Sequence, residues 1–249
     1  KTLSESRNNG DDIKEALAKF PKVLGVGTGE KRYMIIMQND AEIRATGGFW
    51  TNFATFKVQN ALLTSDFTSK DMYSIDITLD AIDKYYTFPT APESYKRFLK
   101  VERLFARDAN ISPDFPTAVD KFNLYYNLPA KVAPNEYKPI DGYIAINTEV
   151  VKEFIEITGA VNVNGVTFSK DNVVLELEKI ASLNLAQQAG RKKVLGDLME
   201  AMLKNVFDSE SFLWSQLIEK GVDLMNRKQI LVFLNDPEAQ KLIEKYGYA

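Results

Sequence analysis

Apolar and polar positions follow two periods along this 249-residue chain, and the two periods divide it into strands and helices. Alternating or continuous apolar runs predict strands at residues 32–38, 53–58, 61–66 and 141–147, and in the run QILVFL at 229–234. Gln59-Asn60 is a short turn between the second and third of these. The Asn164-Gly165 pair predicts a tight hairpin, because both residues accept positive φ. Apolar residues at helical spacing predict helices over 11–20, 94–106, 117–126, 148–158 and 209–220, with Pro21, Gly159 and Gly221 as stop signals. Ser169 is read as the cap of a further helix reaching about residue 183. A last helix is capped by Asp236-Pro237 and ended by Gly247. The clearest helix covers 191–207, where Val194, Leu195, Leu198, Met199, Met202, Leu203, Val206 and Phe207 form one continuous stripe.

Strands that alternate with helices predict an α/β fold, layered in the α+β manner, with a mixed central sheet flanked by helices. The chain is long enough to bury a full core without staples. The expected organisation is a polar segment with a short helix at 1–22, then a single α/β domain over 23–249, with either end open to truncation.

Composition narrows the chemistry. Net charge is −3 and no long basic block occurs, so nucleic acid is not the expected partner. Cysteine and histidine are both absent. Disulfides, thiolate nucleophiles, Ser-His-Asp triads and the usual zinc sites are therefore excluded. Any catalysis must use carboxylates, Lys, Arg, Tyr or a hard cation such as Mg²⁺ on oxygen ligands. The longest apolar runs are about five residues, far short of the roughly 20 that cross a bilayer as a helix.

Glycine-rich and arginine-bearing turns supply the candidate sites. GVGTGEKR, at 25–32, has a G-x-G-x-G form, but a strand rather than a helix follows, so it is read as a plain turn. The first candidate is Arg44-Ala45-Thr46-Gly47-Gly48. Glycines allow close backbone approach to a ligand, and an arginine fork can grip phosphate or carboxylate. The alternative is a strand connection with Arg44 paired to a surface acid. The second candidate places Arg107, Asp108, Asn110, Ser112 and Asp114 on a loop stiffened by Pro113 and Pro116. Either it presents an oriented polar constellation, or Asp114 or Thr117 caps the next helix while Arg107 neutralises Asp108. The third is Arg191-Lys192-Lys193. Cations at a helix start oppose the dipole unless an anion shares the site; otherwise this is a solvated basic turn. A fourth is the run of acids from Asp66 to Asp83. These are soluble surface, or one or two of them hold Mg²⁺ beside phosphate oxygens. Tyr85, Tyr86, Phe88 and Tyr95 either line a lipid or sugar groove or pack in the core.

Four stretches carry a resemblance: YMIIMQNDAEIRATGGF, ARDANISPDFPTAVDKF, DGYIAINTEVVKEFIEITGAVNV and GRKKVLGDLMEAML. Together they resemble the bacterial domain-of-unknown-function family 4012, over residues 24–247. That resemblance implies an N-terminal membrane helix outside this sequence and an extracytoplasmic, cell-envelope location. More distantly the chain resembles the LytR-CpsA-Psr family, which transfers glycopolymers from a polyprenyl-pyrophosphate carrier to the cell wall. On that likeness Arg44 and Arg191 match arginines that would hold pyrophosphate. The chain departs from this family in two places. Where that family has Arg-Ser-Asp-Thr, with an Mg²⁺-binding Asp, this chain has Arg44-Ala45-Thr46-Gly47. Its Pro-Arg-Asp motif is replaced by TSDFTSKD, leaving Asp66 or Asp71 as substitutes for a metal ligand.

The resemblance thus implies a domain that binds a phosphorylated, polyprenyl-linked glycan or similar anionic lipid, and in its strong form transfers the glycopolymer. Arg44, Arg107 and Arg191 would stabilise pyrophosphate charge, and Asp108 or Asp114 would hold Mg²⁺ or position the acceptor hydroxyl. Thr46, Gly47, Gly48, Asn110, Ser112 and Lys192 would complete the binding loops. The alternative is a non-catalytic envelope binding or assembly module whose polar motifs pin its loops.

Overall fold

The computed structural model describes Lys19, residues 21–181 and residues 188–249; side chains at 180–181 and 188–193 fall outside that description. Its elements are β1 (Lys31–Asn39), β2 (Phe49–Gln59), β3 (Leu62–Leu63), β4 (Thr68–Asp71), α1 (Tyr73–Ile82), α2 (Glu93–Leu99), α3 (Phe115–Val132), β5 (Gly142–Ile146), α4 (Thr148–Thr158), β6 (Val161–Val163) and β7 (Val166–Phe168). There follow α5 (Val173–Ala181), α6 (Gln188–Phe207), α7 (Ser211–Asn226), β8 (Ile230–Leu234) and α8 (Pro237–Lys245). Short 3₁₀ turns lie at Asp83–Tyr85 and Ala106–Asp108.

The central sheet runs β3-β2-β1-β5-β8, with β4 also paired to β2. It is mixed: β1 and β5 are parallel, while β1–β2, β2–β4 and β5–β8 are antiparallel. The fold is therefore the α/β arrangement expected from the sequence. β1 is apolar over Tyr33–Met37 because both its faces are covered, as a central strand requires. Met34 and Ile36 pack with Trp50 and Phe53 against α1 and α3. Tyr33 and Ile35 pack with Ala54 and Phe56 against the layer containing α4, α6 and α7. β1 and β5 thus end side by side at Met37 and Ile146, between two helical layers.

Several expected boundaries move, each for a local reason. The helix expected over 11–20 lies almost wholly outside the described residues. Pro21 is not itself a stop, since residues 21–23 are helical and the Pro21 carbonyl accepts from Val26 N at 2.8 Å. The expected helix 94–106 stops at Leu99. Lys100 turns left-handed at φ 57°, and the following residues pair instead as a ribbon, Thr90 with Arg103. The expected strand 61–66 shrinks to β3, after a turn in which Asn60 and Ala61 both take positive φ. The acidic stretch 70–83 is mostly the helix α1. The helix expected over 117–126 begins at Phe115, behind the Asp114 cap, and continues to Val132 through Pro129. Gly221 lies inside α7 rather than stopping it.

Ser169 does not cap α5 with its side chain. Its N–H and hydroxyl both bond Asn172 Oδ1, while its carbonyl accepts from Val173 N. Residues 182–183 of that expected helix lie outside the described residues. The helix at 148–158, the Asn164-Gly165 hairpin, β8 and the capped last helix form where expected.

Candidate functional site

Two of the arginine-bearing loops meet at the carboxyl end of β1. A bulge between Met37 and Gln38 shifts the register, and the chain turns through residues 40–48 before re-entering as β2. Gly48 is required where the loop crosses its own entry: a Cβ there would lie 2.6 Å from Asn39 O and 2.9 Å from Asp40 N. Thr46 is buried and donates to Gln38 Oε1 at 2.6 Å, which also accepts from Trp50 Nε1 at 3.1 Å. Asn110, from the second loop, is fully buried and donates to Thr46 Oγ1 at 3.0 Å and Gly48 O at 2.8 Å. The two loops are thus held together by side-chain hydrogen bonds, with Asn110 Oδ1 buried and without a partner among the described residues.

Charges cluster beside this join. Arg107 Nη1 lies 2.5 Å from Asp76 Oδ2, and its guanidinium sits over the Phe105 and Tyr73 rings at 4.3 and 4.7 Å. Asp76 also accepts from Ala106 N at 2.8 Å. Burial nevertheless raises its pKa to about 6, against the pull of Arg107. Asp108 is buried too, and burial raises its pKa while Arg107, the Phe105 backbone and Arg44 oppose the rise. Arg44 stacks over Phe49 at 5.1 Å and forms no ion pair among the described residues. Its Nε is buried and unpartnered there. Of these two arginines, Arg107 is engaged with a carboxylate, whereas Arg44 Nη1 donates only to the carbonyl of its neighbour Ile43, at 3.3 Å.

On the opposite face of the same strand end lies a cavity of about 370 Å³. Met37, Ile146, Val151, Leu198, Met199 and Met202 make its walls apolar, from β1, β5, α4 and α6. Its polar lining comes from strand ends and from the loop after β1: Gln38, Asn39, Asp40, Asn52, Asn147 and Thr148, with Glu178 from α5. Asp40 accepts from Thr148 Oγ1 at 2.5 Å, tying the loop to the start of α4. Asn52 is 1% exposed, and neither of its polar atoms has a partner among the described residues. In open sheets ligands bind at the carboxyl ends of parallel strands, and this cavity occupies that place for β1 and β5.

A family model described as "Protein of unknown function (DUF4012)" matches residues 28–181. The chain belongs to this family. No curated protein matches the chain. Similar solved structures include one described as the transcriptional regulator yvhJ from Bacillus subtilis, at 12% identity and a TM-score of 0.45, covering 88% of this chain and 78% of that one. Another is TagV of B. subtilis, at 11% identity and a TM-score of 0.43, covering 87% and 79%. A third is Lin1025 from Listeria innocua, at 11% identity and a TM-score of 0.39, covering 88% and 78%. At such identities and scores these structures assign this chain neither a ligand nor a reaction.

The remaining candidate residues of this DUF4012 chain are scattered. Asp114 caps α3, accepting from Thr117 N at 2.9 Å and Thr117 Oγ1 at 2.5 Å. Ser112 Oγ accepts from Asp114 N at 3.2 Å within the same turn. Gly47 is exposed at φ 115°. Asp66 stands near the other end of β1, where Arg32 and Lys57 hold it at 2.6 and 3.0 Å and lower its pKa to about 2. Asp71 is buried on β4 and accepts from Tyr73 N at 2.7 Å, at the start of α1. Asp66, held beside Arg32 and Lys57, and Asp71, opposite Asn52, therefore stand at different ends of the sheet. Among the described residues no group of three acids converges as a metal cluster would. Arg191 and Lys192 belong to the first turn of α6, and their side chains lie outside the described residues.

The sequence reading missed Gln38, Asn52 and Asn147. Each was legible as an amide at or near an end of an apolar strand, and only the register shows that Asn52 faces the same side as Met37.

Proposed function

We propose that this DUF4012 domain is a cell-envelope domain that binds an anionic amphiphile, such as a lipid-linked glycan phosphate. The observation that carries the reading is the apolar cavity at the carboxyl ends of β1 and β5. Its size and its few polar groups suit the apolar part of a small ligand. Asp40 on its wall disfavours a phosphate inside it, so the charged head is assigned to the rim. Two basic segments lie close in sequence to lining residues and are the candidate partners of that head. Arg44 follows three residues after Ala41, which lines the cavity. The basic first turn of α6 precedes the lining residue Leu195, and Arg191 stands one turn, about 6 Å along the axis, before it. A polyprenyl-pyrophosphate carrier is the form of ligand the sequence resemblance implies, and it would place the domain outside the cytoplasm.

Binding without transfer is the better supported version. Of the four residues given catalytic roles, Arg107 is engaged by Asp76 and Asp114 by the α3 cap. The test is a melting-temperature shift with a short polyprenyl pyrophosphate and with tetradecyl phosphate, each with and without Mg²⁺. Stabilisation of the wild type by either lipid, reduced in Arg44→Ala, supports the reading; no shift with either lipid refutes it.

A further inference from the structure

A purely hydrocarbon ligand leaves one feature of the cavity unexplained. Asn52 sits in β2 opposite Met37 of β1 and Asp71 of β4, so its side chain leaves the sheet on the cavity face. Asparagine is a poor strand residue, and both its Nδ2 and Oδ1 are buried without a partner among the described residues. Such groups cost stability unless something bonds them. Asn147 adds a second case. It donates to Gln229 Oε1, but its own Oδ1 is buried and unpartnered there. Asn52 is the partner of Met37 on β2, and Asn147 directly follows Ile146, the partner of Met37 on β5, so the two amides are about two strand spacings, or about 10 Å, apart. An apolar cavity with isolated, unfulfilled amides has the form of a site that orients its ligand by a few polar contacts.

We propose that the cavity selects an amphiphile whose apolar chain carries a neutral donor–acceptor group, an amide, that pairs with the Asn52 carboxamide. Asn52 offers one acceptor and one donor, which a secondary amide matches with its N–H and carbonyl. The group is neutral because Asp40 on the cavity wall disfavours an anion there. Asn147 Oδ1 accepts a second donor farther along the same chain. The polar atoms of Asn52 are sealed from water in the ligand-free form, so the entering group must part the cavity wall to reach them. The inference rests on the cavity being a lipid site and narrows it: an N-acylated chain is preferred over a plain isoprenoid or alkyl chain.

The experiment is calorimetric titration of the whole domain with two probes of equal length, tetradecyl phosphate and an alkyl phosphate carrying one mid-chain amide. The amide probe is expected to bind wild type about ten-fold more tightly, the worth of relieving one unpaired buried polar group. Asn52→Leu is expected to erase that preference while raising the melting temperature of the ligand-free protein. If the plain probe binds wild type as tightly as the amide probe, this inference is overturned and the lipid site stands. If neither probe binds wild type, both are overturned. The wild-type comparison decides the matter even where Asn52→Leu does not fold.

Discussion

Arg107 reaches back 31 residues to Asp76, and the ion pair it makes there closes one end of α1 onto the loop that leads into α3. The Asp76 carboxylate is buried, so the pair does not restore its ordinary acidity: its pKa rises from 3.8 to about 6. Asp108, next in the chain to Arg107, is raised for the same reason. A carboxyl whose folded pKa exceeds its unfolded one binds more protons when folded. Its contribution is therefore present at low pH and is lost as the pH rises towards the folded pKa.

Stability should accordingly fall as the pH rises from about 4 to about 6. Asp76 alone accounts for roughly 2–3 kcal/mol of that fall. Asp76→Asn should flatten the slope in this window, because the titrating group is gone, while Asp108 keeps the remainder. Denaturant melts at half-unit pH steps measure it. An equal slope in the variant would contradict the assignment.

Asn110→Ala should cost about 2–3 kcal/mol, since it strips buried donors from Thr46 and Gly48 at once. The loss should be local as well as global. Hydrogen exchange of amides 42–49 should quicken more than that of β5, because Asn110 is what ties the first loop to the second. Uniform quickening would show that the join is not specific.

Three glycines should respond differently to alanine. Gly48→Ala forces a Cβ into backbone atoms of Asn39 and Asp40 and should destabilise by about 2 kcal/mol or more. Gly47→Ala has room, but its φ of 115° strains any side chain. Gly221→Ala meets nothing within 4 Å inside α7 and should stabilise by about 0.5–1 kcal/mol. Thermal melts of the three variants give the order directly.

Much of this fold was legible because its signals were local. The helix after Asn147, the hairpin at Asn164-Gly165 and the helix behind Asp236-Pro237 each carry their own punctuation, and each formed where it was read. Residues 100–106 failed that reading. Their apolar spacing suits a helix, but Lys100 turns left-handed and the ribbon with Thr90 captures the backbone. Gly221 misled in the opposite sense, because a helix with a buried face tolerates one glycine in its interior. Within the candidate site, the resemblance that set Arg44 and Arg107 on one pyrophosphate implied that their loops adjoin, but not that Thr46 and Asn110 join them. The partner of Arg107 was not expected either, since the buried Asp76 lay in a run that looked like solvated surface. The cavity could not be read at all: its walls come from β1, β2, β5, α4, α5 and α6, whose juxtaposition depends on the sheet order.

Asp114→Ala distinguishes a helix cap from a catalytic acid. Loss of the two Thr117 bonds should cost about 1 kcal/mol of stability. Lipid affinity measured well below the melting temperature should stay unchanged. A large loss of affinity with little loss of stability would restore Asp114 to the site.

The most direct measurement is lipid binding with the cavity filled from within. Met202→Trp places an indole in the space between α6 and the ends of β1 and β5. Calorimetric titration of wild type and this variant with tetradecyl phosphate, on protein shown by its melt to be folded, compares the two. Wild type should bind and the filled variant should lose at least about ten-fold in affinity, or 1.4 kcal/mol. Equal affinity in both proteins, or none in the wild type, would contradict the assignment of the cavity as the lipid site.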